Sequence, residues 1–416
     1  MPASLAGSAR PMESGGRLTF AAYTAVPATK ESAVALSFAL TEEQQQLQQV
    51  VRQFAQDKVA PRAQAFNRDR ELPLDLVREM GGMGLFGLPF PTEYDGMGGD
   101  FLSLCLAIEE LGRVDQSLGI TLEAAVGLGA MPVWLFGTEE QKRRWLPPLA
   151  RGEALAGFGL TEPGSGSDAG ALRTTAIRDG DDWVLNGSKQ FITNAGTDIT
   201  SFVTVAAVTD VDSHEITNLI VPAGTPGFRV GAGYEKVGWH GSDTRDLYFD
   251  DCRVPVGNQL GERGRGLANF LEVLTGGRIA ISALATGAIQ ACVDECVRYG
   301  AEREAFGAPI GSYQAIQFKV ADMEVQAELA RNAYHRAAWL LMEGRPYARA
   351  ASVAKLFSTE AAVTAAREAC QIFGGYGFTT EYLVGRLYQD VKILEIGEGT
   401  SEVQRLLIAR DLGMPR

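Results

Sequence analysis

The stretch TTAIRDGDDWVLNGSKQFITNA, residues 174–195, alternates short apolar and polar runs and interrupts them at Asp-Gly and Asn-Gly. Dipeptides of that kind tolerate the positive φ of a tight turn, so they mark hairpins between antiparallel strands. SFVTVAAVT (201–209), NLIVPA (218–223) and DLYFDDCRVPV (246–256) continue with β-branched and aromatic residues. A compact β domain over residues 160–259 follows from this pattern.

On either side the pattern turns helical. TEEQ (41–44) reads as a capping box, and Leu47, Val50, Val51 and Phe54 then fall at i, i+3, i+4 and i+7. FLSLCLAIEELGRV (101–114) and EEQKRRWLPPLARG (139–152) read as further helices, the second stopped by its paired prolines. Beyond residue 260 lie three long helical stretches, 277–304, 313–342 and 351–375. Helices, then strands, then helices is not the alternation of a doubly wound sheet. The expectation is an α+β multidomain chain. It comprises a flexible extension (1–37), an N-terminal helical domain (38–159), a middle β-barrel or sandwich-like domain (160–259) and a C-terminal helical domain like a four-helix bundle (260–416).

Acidic residues outnumber basic ones by 51 to 38, a net charge of −13, which disfavours a nucleic-acid or anionic-membrane surface. Five cysteines are too few for a disulfide scaffold in 416 residues, and three dispersed histidines offer little to a metal site. Free thiols and a reducing compartment are expected. No apolar run reaches the ~18 residues of a membrane span. Residues 1–37 have too little arginine for a transit peptide and no apolar core for a secretory signal. The cytoplasm is the default location, or the mitochondrial matrix if that extension is a transit peptide.

Four glycine-bearing stretches are candidates for the chemistry. GMGLFG (82–87) matches a dinucleotide fingerprint by letter, but neither strand precedes it nor helix follows, so it reads as a turn. TEPGSGSDAG (161–170) sits where helices give way to strands, and its glycines let backbone approach a flat or anionic ligand; a plain interdomain loop is the alternative. KQFITNAG (189–196) could lay Phe191 on an aromatic cofactor, although alone Phe191 reads as core. EIGEGTSEVQR (395–405) puts Glu395, Glu398 and Glu402 on one face of any unbroken helix, yet Gly397 and Gly399 flank the middle one. Ser401 and Gln404 form a second capping box, so Glu398 falls on a hinge between two helices.

Together with AEREAFGAPIGSYQAIQFKVADM (301–323) and QIFGGYGF (371–378), these motifs stand in the order and spacing of the acyl-CoA dehydrogenase family, which the chain resembles from about Leu40 to Leu412. The resemblance implies that three-domain fold, non-covalent FAD and a homotetramer. It implies α,β-dehydrogenation of an acyl-CoA thioester to the trans-2-enoyl product, with hydride passing to flavin N5 and electrons then to electron-transfer flavoprotein. It carries the base onto Glu398. It places Phe158, Leu160, Thr161 and Ser167 on one side of the flavin and Phe191, Ile192 and Thr193 on the other. Arg303, Gln314 and Gln371, Ile372, Phe373, Gly374 and Gly375 match the pyrophosphate and adenine contacts, partly across a subunit boundary. Thr400, Ser401 and Glu402 complete the set. Substrate contacts fall on Ser167, Thr275, Gly276, Gly277, Arg278 and Gly399. Taken alone, Arg303 reads as a solvated helix charge and Arg278 as either a structural charge or a pocket residue.

One branch of the family carries its base at the position of Gly277, so this chain has a single base. Three departures stand out: Phe191 for Trp, Gln389 for Arg, and Gly397 for the Tyr common before the base. Losing that ring suggests a pocket tolerant of branched or otherwise bulky acyl groups; the acyl chain is expected to be short or branched. A carrier-protein thioester substrate, or an oxidase using oxygen, keeps the same fold and chemistry; a non-catalytic flavoprotein is the rival from another class.

Overall fold

The structure is a computed structural model in which residues 39–415 are described; the expected extension over 1–37 lies outside the described residues. The chain opens with helices α1 (Glu42–Phe54), α2 (Ala60–Asp69), α3 (Leu74–Gly82), α4 (Phe101–Gly112), α5 (Gln116–Glu123), α6 (Met131–Phe136) and α7 (Glu139–Ala150). The capping box at α1 forms: Gln44 N–H donates to Thr41 Oγ1 at 3.2 Å, and Thr41 N–H to Gln44 Oε1 at 3.0 Å. A second one, Thr138 with Gln141, starts α7. Contrary to expectation, α7 runs through Pro147 and Pro148. Leu146 and Leu149 are buried on its inner side, and that packing outweighs the two lost hydrogen bonds. Between α5 and α6 the helix widens into a π-turn, Ala124–Ala130.

The sheet contains β1 (Leu155–Gly159), β2 (Thr175–Asp179), β3 (Asp182–Thr193), β4 (Thr200–Asp210), β5 (Glu215–Pro222), β6 (Phe228–Gly233), β7 (Thr244–Pro255) and β8 (Gln259–Leu260). Its order is β6-β7-β3-β2-β4-β5-β8, with β1 parallel to β4. Strand β1 thus joins the sheet ahead of the expected boundary at residue 160. The Asp-Gly signal makes a hairpin, since Asp179 pairs with Asp182. The Asn-Gly signal does not. Asn186 and Gly187 lie within β3 at a bulge against β7, where Gly187 takes φ 142. There the Asn186 amide donates to Asp251 at 3.0 Å and accepts its N–H at 2.9 Å.

The C-terminal half holds α8 (Gly266–Glu302), the short hairpin β9 (Glu304–Ala305) and β10 (Ala308–Pro309), α9 (Gln314–Met342), α10 (Ala348–Phe373), α11 (Leu383–Asp390) and α12 (Ser401–Asp411). One continuous apolar core joins these helices to the N-terminal ones, while the sheet keeps a core of its own around Trp183, Leu185, Leu219 and Leu247. Two helical stretches, Gln116–Phe136 and Gly266–Glu302, are long and apolar enough to cross a membrane by composition. In each, 83% of the apolar window is buried inside the protein, as befits core helices. All five cysteines are free thiols.

A buried ion pair anchors the glycine-rich loop after β1. Lys189 of β3 is fully buried and donates to Glu162 Oε1 at 2.7 Å and to the Leu160 carbonyl at 3.2 Å. Glu162 also accepts the N–H groups of Arg173 and Thr174, at 2.6 and 3.0 Å. Burial lowers Lys189 to about 8, with the charge of Glu162 opposing. Lys189→Met leaves that carboxylate buried without its cation. It should cost roughly 3–5 kcal/mol in denaturant unfolding, a loss that Lys189→Met with Glu162→Gln should partly recover.

Candidate active site

Glu398 lies between a 3-10 turn, Val391–Glu395, and α12. It takes φ 53, and Gly399 follows at φ 94. A left-handed non-glycine residue is uncommon and persists where its surroundings hold it. Here the carbonyls hold it. Gly399 O accepts Lys355 Nζ and Gln404 Nε2, each at 2.9 Å, and Glu398 O accepts Gln404 Nε2 at 3.4 Å. Lys355 and Gln404 are both fully buried. A Cβ on Gly399 would meet Gln404 Nε2 at 2.8 Å, so glycine also leaves room for that brace. The cap of α12 is Thr400, whose Oγ1 accepts Val403 N–H at 3.3 Å, and not the expected Ser401 box. Gln404 is turned back to the hinge and cannot complete a box; Ser401 Oγ is buried without a partner.

The carboxyl group points into the protein. Glu398 Oε2 is sealed from solvent with no N–H or hydroxyl donating to it. It lies 2.2 Å from where a Cβ on Gly277 of α8 would sit. Burial pushes Glu398 up to about 7, against the pull of Lys355, Glu123 and Arg278. Burial in turn lowers Lys355 to about 8 and holds Arg278 below its ordinary value. A carboxyl poised near neutrality in a dry site is what a general base needs.

Sequence reasoning missed Glu123. It ends α5, is fully buried, and neither of its carboxyl oxygens accepts from an N–H or a hydroxyl; the carboxyl within its reach is that of Glu398. Its Oε1 is 3.4 Å from the same Cβ position on Gly277, so it faces Glu398 across one bare Cα. Burial, and then the charge of Glu398, push it well above the carboxylate range. The signal was present: Glu123 is the only charged residue between Asp115 and Glu139.

The other expected residues fall into two groups. In the first, Phe158 at the end of β1 stacks on Phe270 of α8 with centroids 4.0 Å apart. Phe270 is seven residues, about 10 Å of helix rise, from Gly277. At the end of β3, Asn194 donates from its side chain to the Thr121 carbonyl at 3.1 Å, joining that strand end to α5 beside Glu123. Phe191 takes φ 59, is 58% exposed and lies against Tyr234. Ser167 and Glu402 are exposed, whereas Thr161 and Thr193 are half-buried. Leu160 and Ile192 are buried in the core, so only their backbones can face a ligand. Gly276 and Thr275 are buried in α8, with Thr275 Oγ1 donating to the Leu271 carbonyl at 2.7 Å.

The second group is remote. Arg303, Gln314 and Gln371–Gly375 gather at the far end of the bundle, where the Arg303 guanidinium lies 5.9 Å from the Tyr376 ring centre. Twenty-five residues of helical rise, about 37 Å, separate Arg303 from Arg278 along α8. Ile372 and Phe373 are buried, Phe373 stacked on Tyr299 at 4.0 Å, while Arg303, Gln314, Gln371, Gly374 and Gly375 are exposed. One chain therefore does not bring the two groups together.

The first group fits a flat ligand with polar edges. Gly164 and Gly166 have nothing within 4 Å of a Cβ position, Phe191 offers a free aromatic face, and Ser401 Oγ is an unpartnered buried hydroxyl.

Family comparison agrees with that geometry. The acyl-CoA dehydrogenase N-terminal, middle and C-terminal domains match residues 41–153, 157–252 and 264–413. A short-chain specific acyl-CoA dehydrogenase of Clostridium acetobutylicum is 42% identical, over 90% of this chain and 99% of that protein. Butyryl-CoA dehydrogenase from Megasphaera elsdenii superposes with a TM-score of 0.88 at 41% identity, covering 91% of this chain and 100% of its own. A chain from the structure of the electron transferring flavoprotein of Acidaminococcus fermentans gives 0.89 at 44% identity, covering 91% and 99%. The chain belongs to the acyl-CoA dehydrogenase family of FAD-dependent oxidoreductases.

Proposed function

We propose that this enzyme oxidises a short-chain acyl-CoA thioester at its α,β bond, with Glu398 removing the α-proton. The observation that carries this reading is the Glu398 carboxyl: its Oε2 is sealed from solvent, no N–H or hydroxyl donates to it, and burial raises the group to about 7. A thioester α-proton is a weak acid, so its removal needs a base that is not solvated and an oxygen site for the charge that develops on the carbonyl. The Glu398 N–H makes no hydrogen bond within the described chain and is free to serve as one such donor. The bare Cα of Gly277 gives the carboxyl its space, and the Lys355 and Gln404 bonds fix the backbone that aims it. Phe158, Thr161, Ser167, Phe191, Thr193 and Thr400–Glu402 would hold FAD. When bound, FAD supplies the two-electron acceptor for the β-hydride.

Short acyl specificity is supported by the relatives named for short-chain and butyryl substrates. Room for a branch is supported by Gly397, where a Cβ would meet only the Ile393 carbonyl, at 3.5 Å. Electron-transfer flavoprotein is the acceptor we assign, in line with the Acidaminococcus neighbour. The homotetramer reading is supported by the remote Arg303 group, which needs a second copy to meet a cofactor, and by Phe306 and Phe378 beside it, 98% and 95% exposed.

Glu398→Gln should still bind butyryl-CoA while losing roughly 10³-fold in turnover. Retained flavin bleaching under anaerobic titration would move the base elsewhere. Because the base must be ionised, wild-type kcat/KM should rise with pH through about 7 and fall below it. Gly277→Ala sets a methyl where Oε2 now lies and should lower kcat about 10²-fold with the protein still folded. Unchanged kinetics would mean that the carboxyl is not confined there.

A further inference from the structure

We infer that Glu123 is a positioning residue that stays a neutral carboxylic acid and directs its O–H at Glu398, so that the two carboxyl groups hold one proton between them in the resting enzyme. This rests on Glu398 being the base.

The geometry is that of a built compartment for two carboxyls. Glu123 Oε1 sits 2.8 Å from the Cβ position of Gly127 and 3.4 Å from that of Gly277, and Glu398 Oε2 sits 2.2 Å from the latter. Side chains at either glycine would fill the space; their absence on facing helices makes room for both acids. Three of the four carboxyl oxygens, both of Glu123 and Oε2 of Glu398, are buried with no N–H or hydroxyl donating to them, and the two carboxyl groups lie within hydrogen-bonding reach of each other.

The charges around the pair are unequal. Glu398 faces Lys355 of α10 and Arg278 of α8, the latter also near Tyr347, and Lys355 is shared with Glu395 and Glu360. Glu123 faces Glu398 and, from α4, the buried neutral thiol of Cys105. No cation among the described residues forms an ion pair with Glu123. Two carboxylates this close cannot both ionise in a dry site, and the one facing the cations is the one that loses its proton. The proton therefore resides on Glu123. Its O–H then favours the charged form of the base, offsetting part of the burial that raises it. When Glu398 takes a substrate proton, no anion remains in the compartment.

The pH dependence of anaerobic flavin reduction by butyryl-CoA separates the possibilities. A hydrogen bond to a charged group lost in Glu123→Leu should raise the apparent pKa of the base by about one to two units. Glu123→Gln keeps an N–H donor, and its shift should be less than half as large. A downward shift in both variants would mean that Glu123 is an anion, and no shift in either would mean that it only packs; each overturns the proposal. Infrared absorption gives a reading free of turnover. Near neutral pH the spectrum of Glu398→Gln minus that of Glu398→Gln with Glu123→Gln should carry a protonated-carboxyl band, the contribution of buried Asp390, itself raised to about 7, cancelling between the two; absence of the band from that difference also overturns it. Turnover surviving in Glu398→Gln overturns the base assignment itself, a separate result from the position of that band.

Discussion

Keeping an ionisable carboxyl out of water costs several kcal/mol per charge, and the elements around Glu398 are arranged to bear that cost. Helix α10 brings Lys355, α8 brings Arg278 and the bare Cα of Gly277, and α12 brings Gln404. Lys355 serves twice. Its charge keeps the base ionisable, and its hydrogen bond to the Gly399 carbonyl holds the left-handed backbone that aims the carboxyl. Geometry and acidity at the site thus depend on one side chain, which is itself lowered to about 8 by the same burial.

A second buried lysine does comparable work in the sheet. Lys189 ties the end of β1 to the loop carrying Gly164 and Gly166, through a carboxylate that also gathers two backbone N–H groups. That loop can then stay open on one side, where nothing approaches its glycines, without losing its anchor. In both places a buried cation sets the path of an irregular segment that hydrogen bonding of a regular element could not fix.

Much of this was legible in advance because it rests on local rules. The switch in period near residue 160, five residues after β1 begins, and again near 260, the capping box at Thr41, and the glycines flanking Glu398 each follow from nearest neighbours along the chain. What escaped depends on contacts between distant segments. Proline could not stop α7, because Leu146 and Leu149 were already committed to the core. Asn186-Gly187 became a bulge because Asp251, 65 residues away, takes up the Asn186 amide. Gln404 left its box for the Glu398 and Gly399 carbonyls. Glu123 stood out in an apolar run, but only the fold brings it opposite Gly277.

The π-turn at Ala124–Ala130 gives that placement an unusual origin. A π-turn holds one residue more than an α-turn of the same span, and each residue of helix advances the side chains by about 100°. The orientation of Glu123 relative to everything after Met131 is therefore a matter of helical register, set by how many small residues lie between. Exchanging side chains one at a time would leave that register untouched. A single-residue deletion in the stretch would be absorbed as the turn tightens into an ordinary helix of the same span, whereas a further inserted residue has no such slack and would swing the acid by about 100° away from Gly277, so chain length there is as much a part of the site as any of its functional groups.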